Sequence, residues 1–151
     1  MAYLGALEAG GTKMVCAVGR EDGSIVEQVS IPTTEPSRCM PQILEYFRGK
    51  DIDALGVGCF GLLDLDRDSQ SYGSITTTPK LRWRNYPIMR VLGTELGVPV
   101  GIDTDVNAAA LGEAAWGCTQ GLACSMYITV GTGIGVGIIV DGKPHHGMIH
   151  P

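Results

Sequence analysis

The sequence has no C-x-x-C pair: Cys16, Cys39, Cys59, Cys118 and Cys124 are odd in number and widely spaced. This excludes a disulfide framework and a complete zinc knuckle, and it fits reduced, mostly buried thiols. No apolar run approaches the roughly 18 residues of a membrane span. The opening Met-Ala-Tyr-Leu-Gly-Ala-Leu-Glu lacks a basic region ahead of its apolar residues. A soluble, cytoplasmic protein with no membrane partner is expected. Lys and Arg are scattered and the net charge is −5, so no basic stripe exists to neutralise a run of nucleic-acid phosphates. Nucleic acid is not an expected partner. With charged residues at 18% and hydrophobic residues at 44% of 151 positions, the chain has the composition of an ordinary globular domain with a buried core.

The patterning predicts an α/β arrangement. Residues 4–10 and 13–19 are short apolar runs meeting at Gly10-Gly11, and Asp22-Gly23 separates the second from the β-branched stretch 24–31, giving three antiparallel strands. Met40, Ile43, Leu44 and Phe47 recur at helical spacing over 36–48, with Gly49 as the stop. A strand over 54–59 follows. Residues 60–84 form a long irregular excursion of the kind that faces a substrate. Helix 88–96 stops at Gly97, strand 98–102 follows, and an Ala-rich helix runs from 105 to about 116. The order βββαβαβα implies a mixed sheet with helices on its faces. Beyond it, 124–130 and 134–140 read as a new hairpin with Asp141-Gly142 at its far end. Two strands cannot bury a core alone. We therefore expect a first lobe over residues 1–118 and the opening of a second, similar lobe over 119–151. Glu8-Ala-Gly-Gly-Thr-Lys13 and Thr129-Val-Gly-Thr-Gly-Ile-Gly135 echo one another, as a duplicated lobe would require.

The chemistry concentrates in three places. Gly10 and Gly11 can adopt positive φ and present bare N–H groups to an anion; Thr12 adds a hydroxyl, Lys13 a cation, and Glu8 a carboxylate able to hold Mg²⁺. The second cluster, Gly131, Thr132, Gly133, Gly135 and Gly137, repeats at a strand period and contains no G-x-x-x-x-G-K-[ST]. Its bare face admits a ligand or another backbone, and Thr129 and Thr132 can donate to phosphate oxygens. Gly56-Val-Gly58-Cys-Phe-Gly61 satisfies G-x-G-x-x-G literally but opens no helix, so the dinucleotide fingerprint fails; Gly61 is expected at a turn beside the substrate. Asp105, in Asp103-Thr-Asp-Val-Asn107, joins a strand end to a helix start. It is either the helix N-cap or a general base that takes the proton of an acceptor hydroxyl, and Asp103 could equally cap the strand end and keep Asp105 free. His145, His146 and His150 have no cysteine partner downstream, and a surface position is expected for the His-His pair.

Taken together, Glu8-Ala-Gly-Gly-Thr-Lys13, Asp105-Val-Asn-Ala-Ala-Ala-Leu-Gly-Glu113 and Thr129-Val-Gly-Thr-Gly-Ile-Gly-Val-Gly137 resemble the ROK family of sugar kinases and repressors, over essentially the whole chain. Tyr72-Gly73, Thr76-Thr-Thr-Pro-Lys80 and Trp83 resemble its fructokinase branch. The resemblance implies an actin-like, ribonuclease-H-like fold whose two lobes close on ATP-Mg²⁺ and a hexose, with fructose 6-phosphate as product and a homodimer as the complete protein. Asp105 matches the family's catalytic base. The Gly10-Gly11-Thr12 turn matches its first phosphate element and 131–135 its second, while Gly61, Thr78, Thr104 and Asp105 fall where the sugar binds. The family's adenosine segment and its zinc-binding His and cysteine cluster lie in sequence beyond Pro151, so zinc is expected only in a longer chain. Leu62-Leu63 stand where relatives carry Pro-Val, and Thr104 where glucokinase-like members carry Asn. Two other classes compete with this reading. A sugar-responsive repressor needs a DNA reader ahead of Tyr3, and a non-catalytic sugar- or nucleotide-binding module would suit a chain lacking half of its second lobe.

Overall fold

The computed structural model describes residues 2–131 and 133–147; Thr132 and His150 lie outside the described residues. Strands β1 (Tyr3–Ala9), β2 (Lys13–Arg20) and β3 (Ile25–Pro32) form an antiparallel meander, with Ala9 opposite Met14 and Met14 opposite Ile31. The β2–β3 turn is set by Asp22, whose Oδ1 accepts the Ser24 N–H at 2.9 Å, and by Gly23 at φ 84°, where a side chain would be strained. Helix α1 (Pro36–Phe47) starts on a proline, which forfeits no hydrogen bond at that position. It runs through Pro41 because Met40, Ile43, Leu44 and Phe47 anchor both sides of that residue in the core. Strand β4 (Ala54–Cys59) returns to lie parallel beside β1. Helix α2 (Ile88–Leu96) ends at Gly97, φ 69°, as its sequence signal requires. Strand β5 (Val100–Thr104) pairs parallel with β4, and helix α3 (Asp105–Trp116) follows without a loop.

The five strands form one mixed sheet in the order β3-β2-β1-β4-β5. In-register rows build its buried face: Leu7 beside Cys16 and Val57, and Ala9 beside Met14 and Cys59, all buried. Ile43 and Phe47 of α1 and Ile88 and Leu92 of α2 close this face. Each large side chain so buried contributes about 1.5–3 kcal/mol. The opposite face is nearly bare, and α3 lies against it. A Cβ at Gly58 would come within 2.7 Å of the Ala108 Cβ, so the helix can approach this closely only over glycine.

One expectation requires correction and another is refined. Strand β5 runs over 100–104 instead of 98–102: Pro99 has no N–H for the ladder, its carbonyl accepts from Leu55, and the pairing then continues to Cys59 opposite Thr104. The excursion after β4 is also better anchored than its irregular sequence suggests. Leu63 bridges Ile75, and Ile75 bridges Tyr86. Trp83 is buried, donates its Nε1–H to the Thr34 carbonyl at 2.7 Å and stands edge-on to Phe60 at 5.7 Å.

A second, three-stranded sheet follows, β6 (Cys124–Val130), β7 (Ile134–Val140) and β8 (Lys143–Pro144), all antiparallel. The short β8 is an addition to the expected hairpin. It is created by Asp141 and Gly142 at φ 47° and 75°, a two-residue reversal whose twist matches the flanking strands. One face of this sheet packs on α3. On the other, Met126, Ile128, Val130, Ile134 and Val136 are exposed. Among the described residues no helix is long and apolar enough to cross a membrane.

Candidate functional site

The parallel strands β1, β4 and β5 end together, because Ala9 aligns with Cys59 and Cys59 with Thr104. At a strand spacing of about 4.8 Å, these three ends span roughly 10 Å. The residues just beyond them therefore share one edge: Gly10-Gly11 after β1, Phe60-Gly61 after β4 and Asp105 after β5. Carboxyl ends of parallel strands are where open α/β sheets receive ligands.

The Gly10-Gly11 turn differs in detail from its sequence reading. Neither glycine has positive φ. Gly10 is required for another reason: a Cβ there would sit 2.5 Å from the Lys13 carbonyl oxygen. Its N–H is already spent on that carbonyl at 3.0 Å, while Thr33 Oγ1 donates to the Gly10 carbonyl at 2.7 Å. The N–H groups of Gly11 and Thr12 have no backbone partner among the described residues, so the donors this turn leaves open are those two. Gly11, Thr12, Lys13 and Glu8 are all exposed. The Lys80 side chain arrives from the excursion, its Cε 3.8 Å from where a Gly11 Cβ would stand, and adds a cation that sequence reasoning had not singled out.

Gly61 and Thr78 face each other. Gly61, at φ 80°, has room for a Cβ only 3.5 Å from Thr78, and both line an open groove of about 410 Å³ with Leu62, Pro79 and Arg84. Arg84 Nε holds the Thr78 carbonyl at 3.1 Å, and Thr78 Oγ1 accepts the Lys80 N–H at 3.3 Å. A wider hollow of about 690 Å³ lies between α1 and α2, lined by Met40, Leu44 and Val91, away from this edge.

Asp105 is not the cap of α3. Thr104 is, its Oγ1 accepting the Asn107 N–H at 3.2 Å from a buried position. Thr104 is therefore committed to the helix start, and Asp105 is released to the first helical position. There it is exposed, and among the described residues its carboxylate accepts one hydrogen bond, from the Val106 N–H to Oδ1 at 2.9 Å. The positive end of the helix dipole favours a carboxylate at this point. Burial first, and the Asp105 carboxylate second, push the neighbouring Cys59 thiol up to about 12.

The second glycine cluster reaches the same helix start. A Cβ at Gly135 would come 2.8 Å from Val106 Cγ1, and one at Gly137 would overlap the Val106 carbonyl. These two glycines serve backbone approach to α3. Gly131 and Gly133 have open space, and Thr129 lies opposite Gly135 in the ladder. Behind Asp105, Asp103 Oδ1 accepts the Thr104 N–H at 2.7 Å and Asn107 Nδ2 at 2.8 Å, and Oδ2 meets His146 Nε2 at 2.8 Å. His145 and His146 are both exposed, as the sequence suggested, and His146 in addition reaches Asp103. A separation of 43 residues hides this contact from any local pattern.

The mixed sheet, its parallel core and the glycine turns at its edge define the actin-like ATPase fold. The chain belongs to the ROK family, whose sequence profile matches residues 4–150. It is similar to a candidate fructokinase of Bacillus subtilis (strain 168), 51% identical over 148 residues that cover 98% of this chain and 50% of that protein. It is likewise similar to the fructokinase of Pediococcus pentosaceus, 42% identical over 147 residues covering 97% and 51%. Among solved structures, a ROK family glucokinase from Streptomyces griseus in complex with glucose and AMPPNP superimposes with a TM-score of 0.79 at 29% identity, over 98% of this chain and 47% of that one. The chain spans about half the length of the relatives it matches.

Proposed function

We propose that this chain carries the acceptor and first-phosphate elements of an ATP-dependent hexose kinase, with fructose as the hexose and fructose 6-phosphate as the product. The observation that carries the proposal is the common ending of β1, β4 and β5, which sets Gly10-Gly11, Gly61 and Asp105 along one edge. In this reading residues 1–118 are one lobe and 119–151 open the second.

The acceptor sugar occupies the groove at Gly61 and Thr78, its reacting hydroxyl toward Asp105. As that oxygen bonds to the γ-phosphorus of ATP, the bond to the bridging oxygen breaks, ADP leaves, and the hydroxyl proton passes to the Asp105 carboxylate. Asp105 suits this role because Thr104 has taken the capping duty, and among the described residues the Asp105 carboxylate accepts only the Val106 N–H, on Oδ1. Gly11 and Thr12 N–H groups, with Lys13 and Lys80, hold the phosphates from one side, and Thr129, Gly131 and Gly133 of the second cluster serve as the opposing phosphate element. Glu8 offers an exposed carboxylate, the hard oxygen donor Mg²⁺ takes. When bound, Mg²⁺ neutralises charge on the transferring phosphates.

The experiment is a coupled ADP-release assay of the full-length protein with ATP-Mg²⁺ and fructose, glucose or mannose. Fructose should give the highest kcat/KM. Preference for another hexose removes the fructose assignment, and no turnover with any of them removes the kinase reading.

A further inference from the structure

The contact between His146 and Asp103 has no part in the proton transfer described above, yet it joins the two sheets at the site. The reversal at Asp141-Gly142 sends β8 back along β7, and the His145 N–H continues that ladder to the Ile138 carbonyl at 2.8 Å. His146 is thereby delivered to the end of β5, with 47% of its side chain exposed against 16% for Asp103. The Asp103 carboxylate is saturated from three directions: the Thr104 N–H and Asn107 Nδ2 on one oxygen, His146 Nε2 on the other. Asn107 is buried and its own N–H is the one bound by the Thr104 cap. Removing His146 leaves Asp103 Oδ2 without its partner and frees the carboxylate to rotate away from Asn107. The first turn of α3, which carries Asp105 at its first position, then loses one of its two side-chain tethers.

We infer that His146 is a positioning residue: by fixing the Asp103 carboxylate it holds the first turn of α3, and with it Asp105, in line with the acceptor hydroxyl. The inference rests on the kinase reading for its kinetic consequence, but its structural half stands apart from that reading. Because His146 belongs to the second sheet and Asp103 to the first, the same contact makes the geometry of the base depend on how the second sheet is seated.

The test uses the full-length protein and the variants His146→Leu, His146→Gln and Asp105→Asn. Glutamine can place an amide N–H near the position of His Nε2, and leucine cannot. The expected result is a kcat lowered by about 10-fold or more in His146→Leu, the scale on which small misplacements of a catalytic group act. KM for ATP-Mg²⁺ should stay within about 2-fold, and His146→Gln should recover most of the loss. Parent-like kcat in His146→Leu, alongside an inactive Asp105→Asn, overturns the positioning role and leaves the kinase reading intact. A loss that His146→Gln does not restore also overturns it. If the parent phosphorylates no hexose, amide hydrogen exchange decides: faster exchange at residues 106–108 in His146→Leu supports the tether, and unchanged exchange refutes it. A variant that fails to fold is replaced by His146→Asn, read by the same exchange measurement.

Discussion

The two sheets of this molecule handle their apolar side chains in opposite ways. In the first, Leu7, Met14, Cys16, Val57 and Cys59 are covered by α1 and α2 and are almost fully buried. In the second, Val130 is 76% and Ile134 75% exposed, and burial depends on the single face that meets α3. The first sheet is therefore a self-sufficient platform, and the second is held to it through α3 and the Asp103–His146 contact. The site straddles this difference: the proposed base and the first phosphate turn stand on the rigid unit, and the second glycine cluster stands on the dependent one.

The largest expected effect belongs to the rigid side. Asp105→Asn in the full-length protein should lower kcat by about 10²–10⁴-fold, the range for loss of a general base, with KM for ATP and the melting temperature little changed. Steady-state kinetics and calorimetry would show it, and an effect within threefold removes Asp105 from the mechanism. Next in size is a paired truncation. Ile43→Ala empties a fully buried position and should cost about 2–5 kcal/mol in denaturant unfolding. Val130→Ala, at an exposed position, should stay within about 0.5 kcal/mol. Equal costs would contradict the asymmetry between the sheets.

Alkali should attack the first sheet through its thiols. Burial pushes both Cys16 and Cys59 up to about 12 from the ordinary value of 9.0. Below pH 9 the thiols are protonated in folded and unfolded chains alike and this contribution is fully present. Between 9 and 12 only the unfolded chain ionises, so stability falls as pH rises, by at most about 1.4 kcal/mol per pH unit for each thiol. Urea titrations at pH 8 and 10.5 should show the loss, and it should shrink in a Cys16→Ala, Cys59→Ala variant. The smallest effect is that of the cap: Thr104→Ala should cost about 1 kcal/mol, and Thr104→Ser much less.

Local signals in the sequence were sufficient for most elements. Asp22-Gly23, Gly49 and Gly97 mark turns and helix stops because their backbone must enter the left-handed region, where glycine is favoured. Helix α3 and strands β6 and β7 have the bounds their patterns imply. What escaped depends on pairing across distance. Pro99 moved β5 by two residues through its partnership with β4, and β8 exists only because Asp141-Gly142 folds it onto β7. At the site, the glycine turns and Asp105 were legible as motifs, but the order β1-β4-β5 that lines them up depends on parallel pairing between distant strands. The capping role of Thr104, the spent N–H of Gly10 and the reach of His146 to Asp103 were not legible, since each depends on where a particular hydrogen bond goes.

The proposed function requires one ligand to lie against the shared edge of β1, β4 and β5. Its most direct test is a backbone-amide NMR titration of the full-length protein with ATP-Mg²⁺, followed by fructose. The prediction is that the nucleotide moves Gly11 and Thr12 amides and those of the first turn of α3, and that the sugar then moves Gly61 and Thr78. Shifts confined to the hollow between α1 and α2, with Gly11 and Asp105 silent, would contradict it.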